Sequence, residues 1–252
     1  MFFEISSEVF DKLPNFVCGV VAVRGIDNSK EIPEIKKMLE ESASECKAYF
    51  DASGNKAKND PCVEPYRDAF REIGINPNRY ACAIEALMDR IAKGKGMPSI
   101  NPAVDLGNAV SLKHRIPIGA HDMNSFTRED GSGRGEQDAG ISVRAATGED
   151  HFRPFGAAEG EYDDPEDAEI VYVSGHEVRT RRWTWRQSEV GKMTDETSAV
   201  FYPIDGFAGF NEDEVKKVIE ELKELLTEHF GESEDFSISS GIVDKDNPRL
   251  SL

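Results

Sequence analysis

Two segments concentrate the residue types that do chemistry. Residues 98–122, PSINPAVDLGNAVSLKHRIPIGAHD, hold two Asn, two Asp and two His between prolines and glycines. Residues 183–187, WTWRQ, set Arg186 and Gln187 beside two tryptophans. The Asn108 amide offers both a donor and an acceptor, which suits gripping an ester carbonyl, a ribose hydroxyl or a positioned water. The ordinarily near-neutral pKa of a histidine would suit His121 to either proton transfer or hydrogen bonding. Aromatic rings beside a guanidinium can stack a base or an amino-acid side chain, and Arg186 can hold a phosphate or a carboxylate. Each feature also has a plainer reading. A buried Asp105 or Asn108 can pin loops through backbone groups, and both tryptophans can simply fill core.

Other chemistries lack their signatures. GSGRG at 131–135 misses the Lys-Ser/Thr ending of a phosphate loop and is flanked by polar residues, and no G-x-S-x-G elbow occurs. Cys18, Cys46, Cys62 and Cys82 lie 28, 16 and 20 residues apart, which gives no C-x-x-C pair. Neither a metal nor another cofactor is expected, and the cysteines are expected to be buried and reduced.

The elements that must position these residues alternate between strand and helix patterns. Phe16 to Arg24 is an apolar run closed by Gly25, as in a buried strand. Pro33 opens a helix on which Ile35, Leu39, Cys46 and Phe50 form a stripe, and 51–61 reads as a loop. Two more helices are predicted over Pro65 to Ile73 and Tyr80 to Lys93, stopped by Gly94 and Gly96. Ala103 to Leu112 alternates imperfectly and is predicted as a strand bent near Gly107. Residues 123–138 form a polar, Gly-rich loop. Further strands are predicted at Ile141 to Ala145, Glu169 to Ser174, Thr180 to Gln187 and Ala199 to Ile204. On a single strand Trp183, Trp185 and Gln187 would share one face, and Thr184 and Arg186 the other. Glu212 to Phe230 reads as a long amphipathic helix with Asn211 as its N-cap, and FSISSGIVD as a closing strand. The expectation is an α/β fold over residues 1–252 in one domain, a mixed β-sheet covered by helices.

The net charge of −18 and pI near 4.7 argue against a nucleic-acid partner, since phosphate contacts need Lys and Arg. Binding needs only a local basic face, however, and two clusters supply one: Lys113, His114 and Arg115, then Arg179, Arg181, Arg182 and Arg186. No stretch approaches the roughly 20 apolar residues of a membrane helix, and MFFEISSEVF has no basic segment before an apolar one. A cytoplasmic protein without a membrane partner is expected; its oligomeric state is open.

The motif block resembles the "VD-x-x-N-x-V…P-x-x-x-x-D" core of the B3/B4 domain, the editing module in the β subunit of phenylalanyl-tRNA synthetase, also found in short freestanding proteins. Val104, Asp105, Asn108, Val110, Pro117 and Asp122 carry the match, Gly119 stands where the family has a histidine, and His121 lies two residues on. Downstream, Arg144, Ala146, Gly148 and Glu149 fit the family's second motif, where an internal Arg144–Asp122 pair is expected. The segment from Trp183 to Gln187, with Thr194 and Thr197, is similar to the freestanding members.

The resemblance covers about residues 60–206. It implies a B3/B4 fold and trans-acting hydrolysis of the ester of a mischarged tRNA, by an aminoacyl-tRNA deacylase without a synthetase core. Family members reject tyrosine on phenylalanine tRNA, or an arginine analogue on arginine tRNA. It further implies Asn108 and His121 as catalytic residues, with Asp105, Asp122, Trp185, Arg186, Gln187, Thr194 and Thr197 around the amino-acid side chain. Lys113, Arg115, Arg181 and Arg182 would meet the tRNA. A noncatalytic module for tRNA or an amino-acid-like ligand, and a pocket for a free small molecule, are the competing readings.

Overall fold

A computed structural model describes all residues from Met1 to Leu252. Ten strands form two sheets: β1 (Phe2–Ile5), β2 (Phe16–Arg24), β3 (His121–Asp122), β4 (Gly140–Ala145), β5 (Ile170–Ser174), β6 (Glu177–Arg181), β7 (Arg186–Gln187), β8 (Ala199–Phe207), β9 (Ser237–Val243) and β10 (Arg249–Ser251). The helices are α1 (Ser7–Lys12), α2 (Pro33–Ser53), α3 (Glu64–Glu72), α4 (Ala83–Ala92), α5 (Pro102–His114) and α6 (Glu212–Phe230). One sheet runs β10-β1-β4-β5-β6-β7 and the other β3-β8-β2-β9. The first contains a parallel β1–β4 pair among antiparallel neighbours, so the expected mixed sheet is present, split in two.

The central strands of the smaller sheet, β2 and β8, are buried on both faces, which explains why β2 reads as an unbroken apolar run rather than an alternating one. Phe16, Cys18, Val20 and Ala22 face the larger sheet, whereas Val17, Val21 and Val23 pack with α5 and α6. Full burial of each valine and phenylalanine among them stabilises the fold by roughly 1.5–3 kcal/mol. Phe3 of β1 and Phe201 of β8 meet across the two sheets at 5.0 Å. Glycine is required where α6 crosses β2, because a Cβ on Gly19 would sit 2.5 Å from Val215.

Four local expectations are corrected. Residues 103–112 are not a bent strand but the body of α5. Asn101 caps this helix by accepting from the Val104 N–H at 3.1 Å, Pro102 opens it, and Asn28 Oδ1 accepts from the Ala103 N–H at 2.9 Å. Gly107 is tolerated within the helix because the Tyr202 ring of β8 packs against it, 3.3 Å from where a Cβ would stand.

Residues 180–187 are not one strand either. The chain leaves β6, turns through Arg182 and Trp183 at φ of 47° and 58°, and returns as β7. This costly left-handed pair is fixed by the Trp183 N–H on Ile170 O at 2.7 Å and the Arg182 N–H on Glu169 Oε1 at 2.9 Å. Thr184 O in turn accepts the Ala83 N–H at 2.8 Å, seating the N-terminus of α4 on the turn.

Asn211 does not cap α6 with its side chain. It accepts from the Phe207 N–H and donates to the Tyr66 hydroxyl, both at 2.8 Å, and so ties β8 to α3. The predicted loop at 51–61 is also shorter, since α2 runs on to Ser53 and Ala57–Asn59 form a 3₁₀ turn. β1 and β10, which carry no clear pattern of their own, pair with each other at the edge of the larger sheet.

Candidate functional site

A cavity of about 250 Å³ lies where α4, α5, the approach to β3, β5, the β6–β7 turn and β8 meet. On α5, Val104, Gly107 and Asn108 line it because residues three and four apart share a helix face. Asn108 is half-buried, and its amide makes no hydrogen bond with the protein. Gly119 and His121 both line it, as alternate residues of an extended segment held by the Gly119 N–H on Pro203 O at 2.9 Å. The histidine therefore reaches the same cavity that position 119 faces. At 119 itself a Cβ would lie 2.9 Å from Pro203 Cγ.

His121 is buried and stacks beside Tyr172, with ring centroids 6.1 Å apart. Burial, aided by nearby Arg179, lowers its pKa to about 3, so the imidazole is neutral. Gln187 Nε2 donates to Ala120 O at 2.6 Å and lies 3.4 Å from His121 Nδ1. With that amide as donor, Nδ1 is the acceptor and Nε2 carries the proton. The ring thus offers the cavity a hydrogen-bond donor.

Sequence reasoning missed three polar groups in this cavity. Asp205 interrupts the apolar β8 and is buried; its Oδ1 accepts from Tyr172 Oη at 2.6 Å and Trp183 Nε1 at 3.2 Å, while Oδ2 takes no hydrogen bond from the protein. Burial raises its pKa to about 7, outweighing those two donors. Tyr172, the second, also lies 3.7 Å from Cys18 Sγ. The third, Thr184, has a buried hydroxyl without a partner. The available signal was an acid inside the run AVFYPIDGF, since a buried carboxylate needs a reason.

Of the expected site residues, Asn108, His121, Trp185, Arg186 and Gln187 come together around this cavity. Asp105 lies elsewhere and pins the loop before α5, accepting from Ile100 N at 2.8 Å and Ser99 Oγ at 2.5 Å. Asp122, next to His121 on a strand, takes the Asn124 N–H at 3.0 Å and starts a 3₁₀ turn. Thr194 and Thr197 close a turn on one another, with Thr197 Oγ1 accepting from Thr194 N at 3.0 Å, and do not line the cavity. Arg144 pairs with Asp150 at 2.6 and 2.8 Å, not with Asp122.

The expected tRNA contacts are mostly engaged within the protein. Lys113 pairs with Glu221 at 2.7 Å. Arg115 stacks 3.7 Å over Tyr49 beside buried Asp60. Both line a groove rimmed by Glu212, Asp213 and Glu214, whose charges repel phosphate. Arg181 is 2% exposed and bound to Glu169, so it has no free face for a nucleic acid. Arg182 lies against the rings of Tyr80 and Trp185.

Residues 65–231 match the family model described as the B3/4 domain. The chain belongs to the B3/4 domain family. The crystal structure of an N-terminal fragment of the phenylalanyl-tRNA synthetase β subunit from Pyrococcus horikoshii is similar, with 12% sequence identity and a TM-score of 0.45. That similarity covers 97% of this chain and 52% of the other, so the chain spans about half the length of that structure. Among proteins of curated function none matches the chain. The B3/4 match takes in every element that lines the cavity, from α4 to β8. No helix of this B3/4 protein is long and apolar enough to cross a membrane.

Proposed function

We propose that this B3/4 protein clears mischarged tRNA by hydrolysing the ester between the amino acid and the terminal ribose. It would act on tRNA charged by another enzyme. The observation that carries this reading is the convergence of neutral donors, Asn108 and His121 Nε2–H, on one cavity whose wall mixes apolar side chains with a few polar ones. Its volume of about 250 Å³ lies just below the range of drug-sized ligand sites and suits an amino-acid side chain with its ester.

An aminoacyl ester is already activated, so the protein need not supply a nucleophile. Water adds to the ester carbonyl, and the Asn108 and His121 donors stabilise the oxyanion that forms. The bond to the ribose oxygen then breaks, and that oxygen takes up the proton the water gives up. The products are the free amino acid and uncharged tRNA. Neutral His121 is suited to donate to the oxyanion at ordinary pH. Asp205 Oδ2, without a protein partner, faces the amino acid as a hydrogen-bond donor while the carboxyl is protonated and as an acceptor once it ionises near pH 7, and Arg186 and Gln187 stand at the cavity wall.

A deacylation assay over a panel of mischarged tRNAs tests this. At least one ester should be cleared well above the buffer rate, and Asn108→Ala or His121→Ala should lower kcat/KM by roughly 10²–10³-fold, as loss of an oxyanion donor does. If no ester is cleared while tRNA still binds, the protein is a binding module.

A further inference from the structure

At the rim of the cavity, Trp185 of its lining meets Tyr80 edge to face at 4.9 Å. Tyr80 belongs to the α3–α4 connection and Trp185 to the turn between β6 and β7, so the pair joins two parts of the fold. Four guanidinium contacts surround it. Arg182 lies 4.0 Å from the Tyr80 centroid and 4.8 Å from that of Trp185, Arg79 lies 5.2 Å over Tyr80, and Arg186 lies 5.8 Å over Trp185.

These arginines divide into two kinds. Arg182 is buried and has carboxylates of Glu166 and Glu169 at 3.7 Å. Arg79 and Arg186 are exposed and pair with no carboxylate. On a chain with a net charge of −18 these two guanidiniums are without an acid partner, and they flank the half-buried rings of Tyr80 and Trp185. A ligand with flat rings joined by anionic links satisfies both features.

We propose that Tyr80, Trp185, Arg79 and Arg186 form a docking platform for single-stranded RNA at the mouth of the cavity, with a base on the Trp185 indole and phosphates on the two arginines. Arg186, the looser of the two arginines on Trp185, lifts from the ring to admit the base and meets its phosphate. The platform rests on the tRNA reading above and gives it a path, because a terminal nucleotide held there delivers its ester to the adjacent cavity. Base stacking with phosphate pairing is the usual physics of single-strand binding, and it is indifferent to sequence.

The test uses the full chain and a short, uncharged, single-stranded oligoribonucleotide about six residues long, within the span that such grooves cover. Because this probe has no ester, it separates docking from hydrolysis. The chain has two tryptophans, and only Trp185 is accessible, so a base stacking on it should quench its fluorescence saturably. By anisotropy of labelled RNA, Trp185→Leu and Tyr80→Leu should each weaken binding at least about fivefold, the lower end of one stacked base, while Trp185→Phe should retain it. Arg79→Gln and Arg186→Gln change exposed positions and keep the test open if a ring variant misfolds. Each should reduce the slope of log K against log salt by roughly 0.7.

Absence of saturable binding at low salt overturns the platform, as does binding that folded ring variants and arginine variants leave unchanged. Deacylation without oligonucleotide binding removes the platform and leaves the hydrolysis reading intact. Binding without deacylation does the reverse.

Discussion

Tyr172 donates its phenolic proton to Asp205 Oδ1 at 2.6 Å, deep at the junction of the two sheets. Trp183 Nε1 donates to the same oxygen, and no cation accompanies the carboxyl. Two neutral donors only partly replace water around a carboxylate, so Asp205 holds its proton up to about pH 7. The cavity wall is therefore a carboxylic acid below neutrality and a carboxylate above it.

That group and His121 should pull stability in opposite directions with pH. Folded Asp205 keeps, between its ordinary 3.8 and about 7, a proton that the unfolded chain releases, so stability falls as pH rises through that window. Folded His121 refuses, between its ordinary 6.5 and about 3, a proton that the unfolded chain accepts, so stability falls as pH drops. Each slope is about 1.4 kcal/mol per pH unit, and the two offset one another where the windows overlap. Asp205→Asn should be more stable than the parent at pH 8, with the gain disappearing towards pH 4. Denaturant unfolding at several pH values measures this, and a pH-independent difference would contradict the assignment.

Gly119→Ala probes the packing beside the histidine. Its Cβ would lie 2.9 Å from Pro203 Cγ and 3.2 Å from His121 Nε2, and a proline ring yields little. Overpacking of this kind costs about 1–3 kcal/mol. Chemical denaturation should register that loss, and deacylation should fall with it because the donor nitrogen is displaced. Unchanged stability would mean that the β3 approach moves away at no cost.

The buried Arg67–Glu85 pair should control the platform from behind. Arg67 Nη1 meets both Glu85 oxygens at 2.7 and 2.9 Å and Pro77 O at 2.9 Å, while Nη2 reaches Asn78 Oδ1 at 2.7 Å. One guanidinium thus holds α3, α4 and the connection that carries Arg79 and Tyr80. Glu85→Ala leaves that charge buried and unpaired, and should cost roughly 3–5 kcal/mol by thermal or chemical unfolding. A loss below about 1 kcal/mol would show that water reaches Arg67 readily.

Much of the fold is readable in the residues, and the failures have physical causes. β2 and α6 declare themselves through an unbroken apolar run and a clean stripe, so Phe16–Arg24 and Glu212–Phe230 appear as expected. α5 does not, because it is buried on most sides, which erases its stripe, and because a glycine sits in its middle. Its true signals are Asn101-Pro102 as a start and the 104, 107, 108 spacing of its cavity face. The turn at Arg182 and Trp183 is invisible in the sequence, since a left-handed tryptophan is imposed by tertiary hydrogen bonds and not by local preference. Asn108, His121 and Gln187 are legible from their types, whereas Asp205 hides within an apolar strand. The expected arginine contacts fail because sequence shows where cations lie but not which acids, such as Glu169, have already claimed them.

The cavity is assembled from residues as far apart as Ala83 and Asp205, contributed by two helices and by strands of both sheets. No contiguous peptide cut from this chain would carry a usable share of it. Proteolytic nicking that separates α4 from β8 should therefore abolish ligand recognition outright, and recovery of that recognition after refolding becomes a gauge of whether the whole chain has regained its native arrangement.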